Sequence, residues 1–173
     1  MTEFEKLTDV VRALRAPDGC PWDRAQTHQS LKAPCIEEAA EVIAGINLFE
    51  KTGDADNLRE ELGDLLLQVV MHAVIAEEEG AFTLDDVIRG ISEKMIRRHP
   101  HVFGEASERD PGKINLQWEE IKRLEKAEKE ARDRAMGHGG VKEELAEAFD
   151  EAEALIDRAR ARKGIVPGTG QKR

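Results

Sequence analysis

Two runs of helical periodicity, over residues 35–50 and 55–79, are separated only by the turn-forming sequence Lys51-Thr52-Gly53-Asp54. A connection this short favours antiparallel packing of the two helices, as a helical hairpin. The first run takes its apolar content from Ile36, Ala39, Ala40, Ile43 and Leu48. The second is the more apolar: Leu62, Leu65, Leu66, Val69, Val70, Ala73 and Ile75 cover a broad face, as in the central helix of a bundle. Ala40 and Gly45 are small enough for close helix contact. Gly63 costs about 1 kcal/mol against alanine inside a helix, which predicts a second backbone passing close to it.

The rest of the chain reads as helix too. Thr2 and Glu5 suit a capping box, and Phe4, Leu7, Val10, Val11 and Leu14 repeat with helical period over 3–15. APDGCPWD, residues 16–23, is a loop in which Trp22 is expected to plug the core. A short helical segment is expected over 27–33, and Pro34 either interrupts it or sits in the first turn of the next helix. Gly80 stops the long helix. Another helix starts after Thr83 and ends at Arg97-Arg98-His99 before Pro100; HPHVFG is expected as a compact loop and 107–113 as a linker. A helix from about Asn115 runs into the charged stretch EKAEKEARDRA, one more amphipathic helix fits 141–162, and the end, GIVPGTGQKR, is expected to be disordered. No strand pattern occurs. With 4 % aromatic residues and no Tyr, core volume must come from aliphatic side chains, which suits helix packing. The expectation is an all-α fold of four or five helices, with a catalytic domain over 1–125 and a charged helical extension and tail over 126–173.

The hairpin also carries the chemistry. Glu37, Glu38 and Glu41 follow E-E-x-x-E in its first arm, and Glu61 and Asp64 follow E-x-x-D in its second. Residues three or four apart share a helix face, so Glu38 pairs with Glu41, and Glu61 with Asp64. Solvated acidic faces are common in a chain that is 36 % charged. Paired spacing on successive helices points elsewhere. If the two faces meet, four or five carboxylates converge, and a hard divalent cation such as Mg2+ or Mn2+ relieves their repulsion.

Cations follow downstream. Lys94 and Arg98 lie four apart on one helix, where they can serve the C-terminal dipole or bind phosphate oxygens. Trp118 and Lys122 are again four apart; the indole can serve a core or stack on a base. Acids for metal, cations for phosphate and an aromatic for the base together describe a nucleotide site. His72 shares the face of Glu61, Asp64 and Gln68, and is read as a buried, satisfied histidine. His99 and His101 lack a third ligand of zinc type.

The net charge of −10 argues against non-specific nucleic-acid binding. No apolar run reaches membrane-spanning length, the first residues are unlike a secretion signal, and Cys20 and Cys35 read as free thiols. A cytoplasmic protein is expected. Broad apolar helix faces predict self-association, with a dimer the commonest closed form.

The segments LRAPDGCPWDRAQTH, E-E-x-x-E, LREELGDLLLQVV, EEEGAF, EKMIRRHPHVFG and QWEEIK stand in this order across about residues 1–124. On these segments the chain resembles the MazG family of nucleoside triphosphate pyrophosphohydrolases, as a single-domain member. GCPWD and HPHVFG resemble the first copy of members that carry two domains in tandem. The resemblance implies an all-α fold, homo-oligomers, Mg2+ dependence and hydrolysis of NTPs or dNTPs to NMP and pyrophosphate, a reaction suited to clearing the nucleotide pool. Carried over by motif, Glu38, Glu41, Glu61 and Asp64 are metal ligands, and Glu37 holds a second metal or orients the attacking water. Lys94 and Arg98 match phosphate-binding positions, and Trp118 and Lys122 a nucleotide contact. The expected reaction is attack by water on the α-phosphorus. The rival expectation is a non-catalytic Mg–nucleotide-binding or interaction module, which binds nucleotide without consuming it.

Overall fold

The structure is a computed structural model that describes residues 1–137 and 141–165. Among these residues every regular element is a helix, as expected: α1 (Glu3–Arg15), α2 (Pro21–Arg24), α3 (Lys32–Thr52), α4 (Asp56–Glu78), α5 (Leu84–Arg98), α6 (Pro100–Phe103), α7 (Pro111–Ala135) and α8 (Val141–Arg162). Six are long and two are single turns. They group into two compact units, one formed by Met1–Leu84 with the stretch from Asp150 onward, the other by Asp85–Phe149.

In the first unit, α1 opens with the expected capping box: the Thr2 amide donates to Glu5 Oε2 at 2.6 Å, and the Glu5 amide to Thr2 Oγ1 at 3.2 Å. Pro34 lies in the first turn of α3, where a missing N–H costs nothing. Gly53, at φ 76°, ends α3 by donating its amide to Phe49 O at 2.8 Å. The hairpin then turns into α4. Val11 of α1, Leu31, Val70, Met71, Ala73, Val74 and Ile75 of α4, and Leu84 form the buried core, with Phe4, Leu7 and Leu67 packed against it. The opposite side of α4 stays open: Leu62, Leu66 and Val69 are all exposed.

Two expectations fail here. Trp22 is 75 % exposed and plugs no core. Polar bonds hold that loop instead. The Arg15 side chain, 5 % exposed, pairs with Glu78 at 2.7 Å and donates through Nη1 to Asp23 O at 2.6 Å and Gln26 O at 3.1 Å. The close backbone approach is at Gly45, not Gly63. A Cβ on Gly45 would stand 2.9 Å from Leu58 Cα, whereas one on Gly63 would meet nothing within 4 Å. Gly63 is exposed, with open space around it.

In the second unit, HPHVFG forms a single helical turn, α6, rather than a loop. Helix α7 begins earlier than expected because Asp110 caps it, accepting the Lys113 amide at 2.9 Å. It continues unbroken through the charged stretch to Ala135. Gly137, at φ 70°, follows its end. Of the expected disordered tail, residues 166–173 lie outside the described residues.

Candidate metal and nucleotide site

Close packing at Gly45 and Leu58 sets the register of the hairpin. One α3 turn or two toward its N-terminus, Glu38 comes level with Glu61 and Asp64 of α4. Carboxylate oxygens of these three residues lie within 4.8 Å of one another. Asn57, one turn before Glu61, donates its amide to Glu61 Oε1 at 2.9 Å and orients it. Burial, then the charges of Asp64 and Glu61, push the Glu38 carboxyl above the usual range; Lys163 opposes them and Glu37 adds to them. The nearby Cys35 thiol is pushed up by burial and by Glu38. Three hard oxygen donors that repel one another across two helices fit a divalent cation such as Mg2+, which binds through a few carboxylates and keeps room for water and phosphate.

Glu37 and Glu41 stand apart from this trio, because each is engaged by the end of α8. Arg162 pairs with Glu37 Oε2, and Lys163, the residue just past the helix, pairs with Glu41 Oε1. Sequence reasoning missed these two cations; the only signal was a basic last turn followed by Lys163-Gly164.

In the second unit, α5 and α7 bring Arg98, Trp118 and Lys122 together. Lys122 Nζ lies 4.3 Å from the centroid of the Trp118 ring, and the Arg98 guanidinium carbon 5.4 Å from it. Arg98 also forks onto Glu125 Oε2 at 2.7 and 3.0 Å, while Arg97 reaches Glu125 Oε1 at 2.6 Å. These bonds, that of Arg98 first, hold the Glu125 carboxyl below its usual range. Glu125, 27 residues from Arg98, was not foreseen. Lys122 has a 3.5 Å pair with Glu119. Lys94 makes no ion pair among the described residues.

His28, His72 and His99 find partners nearby, whereas the buried Nδ1 of His101 has none among the described residues. His72 stacks on His28, with ring planes 4° apart and Nδ1 atoms 2.7 Å apart. His99 donates its Nδ1 proton to Met95 O at 2.6 Å. Both cysteines are free, and no helix among the described residues is long and apolar enough to cross a membrane.

Fold and site therefore define an all-α protein whose central helical hairpin presents a converging carboxylate trio. Residues 26–103 match the MazG nucleotide pyrophosphohydrolase domain. The matched stretch holds every candidate carboxylate, Lys94 and Arg98; Trp118 and Lys122 lie beyond it. The chain is 55 % identical over 128 residues to the nucleoside triphosphate pyrophosphohydrolase/pyrophosphatase MazG of Thermotoga maritima, covering 74 % of this chain and 47 % of that protein. It is 42 % identical over 130 residues to the nucleoside triphosphate pyrophosphohydrolase of Escherichia coli K12, covering 75 % and 48 %. It is 53 % identical over 124 residues to the uncharacterized protein YabN of Bacillus subtilis, covering 72 % and 24 %. The chain thus spans a quarter to a half of the length of these relatives.

Proposed function

We propose that the chain is a Mg2+-dependent hydrolase that cleaves nucleoside triphosphates, NTPs or dNTPs, to NMP and pyrophosphate by attack of water on the α-phosphorus. The observation that carries this reading is the convergence of Glu38, Glu61 and Asp64 on one point within the stretch that matches the MazG domain. When bound, Mg2+ supplies charge neutralisation for the triphosphate and lowers the pKa of a water molecule. Glu38, Glu61 and Asp64 hold the ion, and Glu41 joins them from the next turn of α3. Glu37 orients the attacking water or holds a second ion. By their match to the family's motif positions, Lys94 and Arg98 are candidate phosphate contacts and Trp118 and Lys122 a candidate nucleotide contact, within the second unit.

The exposed row of Leu62, Leu66 and Val69, with Ile43 and Ile46 of α3, supports self-association as a homodimer or larger homo-oligomer. Free Cys20 and Cys35 and a nucleotide substrate fit a reducing cytoplasm.

The test is a panel of NTPs and dNTPs incubated with the chain and Mg2+ or Mn2+, with separation of products. Pyrophosphate with NMP is expected. Orthophosphate with NDP would refute attack at the α-phosphorus. Nucleotide that binds with Mg2+ but is recovered intact would leave a non-catalytic binding module. Asp64→Asn and Glu61→Gln are expected to lose most turnover while keeping the helical circular-dichroism signal.

A further inference from the structure

The C-terminal end of α8 lies on the acidic hairpin. Its stripe of Ala152, Leu155, Ile156 and Ala159, spaced at helical period, is half-buried. Lys32 of α3 ties it further, at 2.8 Å from Glu151. The last turn then delivers Arg162 to Glu37 and Lys163 to Glu41. The Glu37 side chain is only 13 % exposed while Arg162 is 64 % exposed, so the pair is shielded from solvent on the Glu37 side alone. The helix stops at this point: Gly164, at φ 66°, lets the Ile165 amide return to Arg160 O at 2.9 Å. Two cations thus occupy two of the five carboxylates, and Lys163 acts electrostatically on Glu38 as well.

From this we infer that the α8 end is a built-in cation plug, which docks on the acidic hairpin and competes with a divalent ion for Glu41 and Glu37. This inference rests on the metal-binding part of the proposed function. A metal that needs Glu41 must displace Lys163, and docking of α8 must weaken metal binding by the same factor, because linkage is reciprocal. Release of α8 then frees Arg162 and Lys163 as cations beside the site, so metal binding is coupled to exposure of α8.

The experiment uses the full chain. Mn2+ and Mg2+ affinities are measured by calorimetry, without nucleotide, for wild type, the double variant Arg162→Ala/Lys163→Ala and Arg158→Ala. Arg158 lines the same groove as Arg162 and Glu37 but pairs with no carboxylate among the described residues. Amide hydrogen exchange over 150–163 is followed with and without Mg2+. The double variant is expected to bind metal about tenfold more tightly, within the usual range of coupling between sites. Mg2+ is expected to speed exchange in the last turns of α8 in wild type, and to leave the already released α8 of the double variant unchanged. Equal metal affinity in wild type and double variant overturns the plug. So does an equal gain in Arg158→Ala, which would mark a general charge effect. Absence of pyrophosphate from all forms, with the tenfold difference in metal affinity intact, refutes the hydrolase reading and leaves the plug standing.

Discussion

Gly45 passes so close to Leu58 that a Cβ at position 45 would lie 2.9 Å from the Leu58 Cα and 3.2 Å from its amide nitrogen. Backbone cannot rotate aside as a side chain can. Gly45→Ala is therefore expected to destabilise the fold by about 1–3 kcal/mol, as overpacking does. Gly63→Ala, with open space around it, is expected to stabilise by about 0.5–1 kcal/mol through helix propensity. Urea unfolding of both variants checks the pair of signs, and equal shifts would contradict this register of the hairpin.

Arg15 organises the loop that Trp22 does not. Arg15→Ala leaves the Asp23 and Gln26 carbonyls without this donor and is expected to cost about 1–3 kcal/mol. The exposed Arg12–Glu77 pair, at 2.9 Å, is expected to contribute about 0–1 kcal/mol. The Arg15 hydrogen bond is also the first cause holding the Glu78 carboxyl low. A depressed carboxylate contributes stability above its unfolded pKa and loses it as pH falls through the folded value. Arg15→Ala should therefore flatten the acid side of the stability–pH curve, read from thermal midpoints.

His72 is held below the ordinary histidine value by burial first and by His28 second. Its neutral form is the one that folds well. Its contribution is present above the unfolded value of about 6.5 and is lost as pH falls through the lower folded value. His28→Ala removes one of the two causes, so the His72 titration followed by NMR should move upward. A His72 that titrates at or above the ordinary value in wild type would contradict the stacked pair.

Burial, then repulsion from Asp64 and Glu61, disfavours the charged form of Glu38. Glu38→Gln should raise the metal-free melting temperature by about 2–4 °C, the equivalent of roughly 1 kcal/mol in a chain of this size. Calorimetry should show Mg2+ affinity falling in the same variant. Loss of both stability and affinity would instead mark Glu38 as a structural residue.

Trp118 can be watched directly. With Trp22→Phe as background, the remaining indole emission should change when Mg–nucleotide is added. Trp118→Ala should weaken nucleotide binding by about 1–3 kcal/mol, the usual contribution of one base stacked on an aromatic ring. Unchanged emission and affinity would remove Trp118 from the nucleotide contact.

Helix positions were legible because the signals are local. The capping box at Thr2 and Glu5, the turn at Gly53 and the apolar period of α4 each act within a few residues. The spacing of Glu38, Glu61 and Asp64 was legible for the same reason: helical geometry places them on faces, and a short turn at Gly53-Asp54-Ala55 folds those faces together. Failures came where a residue has two chemically reasonable environments. Trp22 is apolar enough for a core, yet Arg15 had already secured the loop. Gly63 and Gly45 are identical residues, and only the facing of the two helices says which one meets a backbone.

By itself the sequence determined an all-α chain with a central acidic hairpin, because helical period and short turns are properties of neighbouring residues. Tertiary structure decided which carboxylates share a point and which are held by cations. The pair of Arg162 and Glu37 spans 125 residues. Charge complementarity over that distance has no period to read, since any of the chain's 26 basic residues could have met that glutamate. Packing of α8 against the hairpin made the choice.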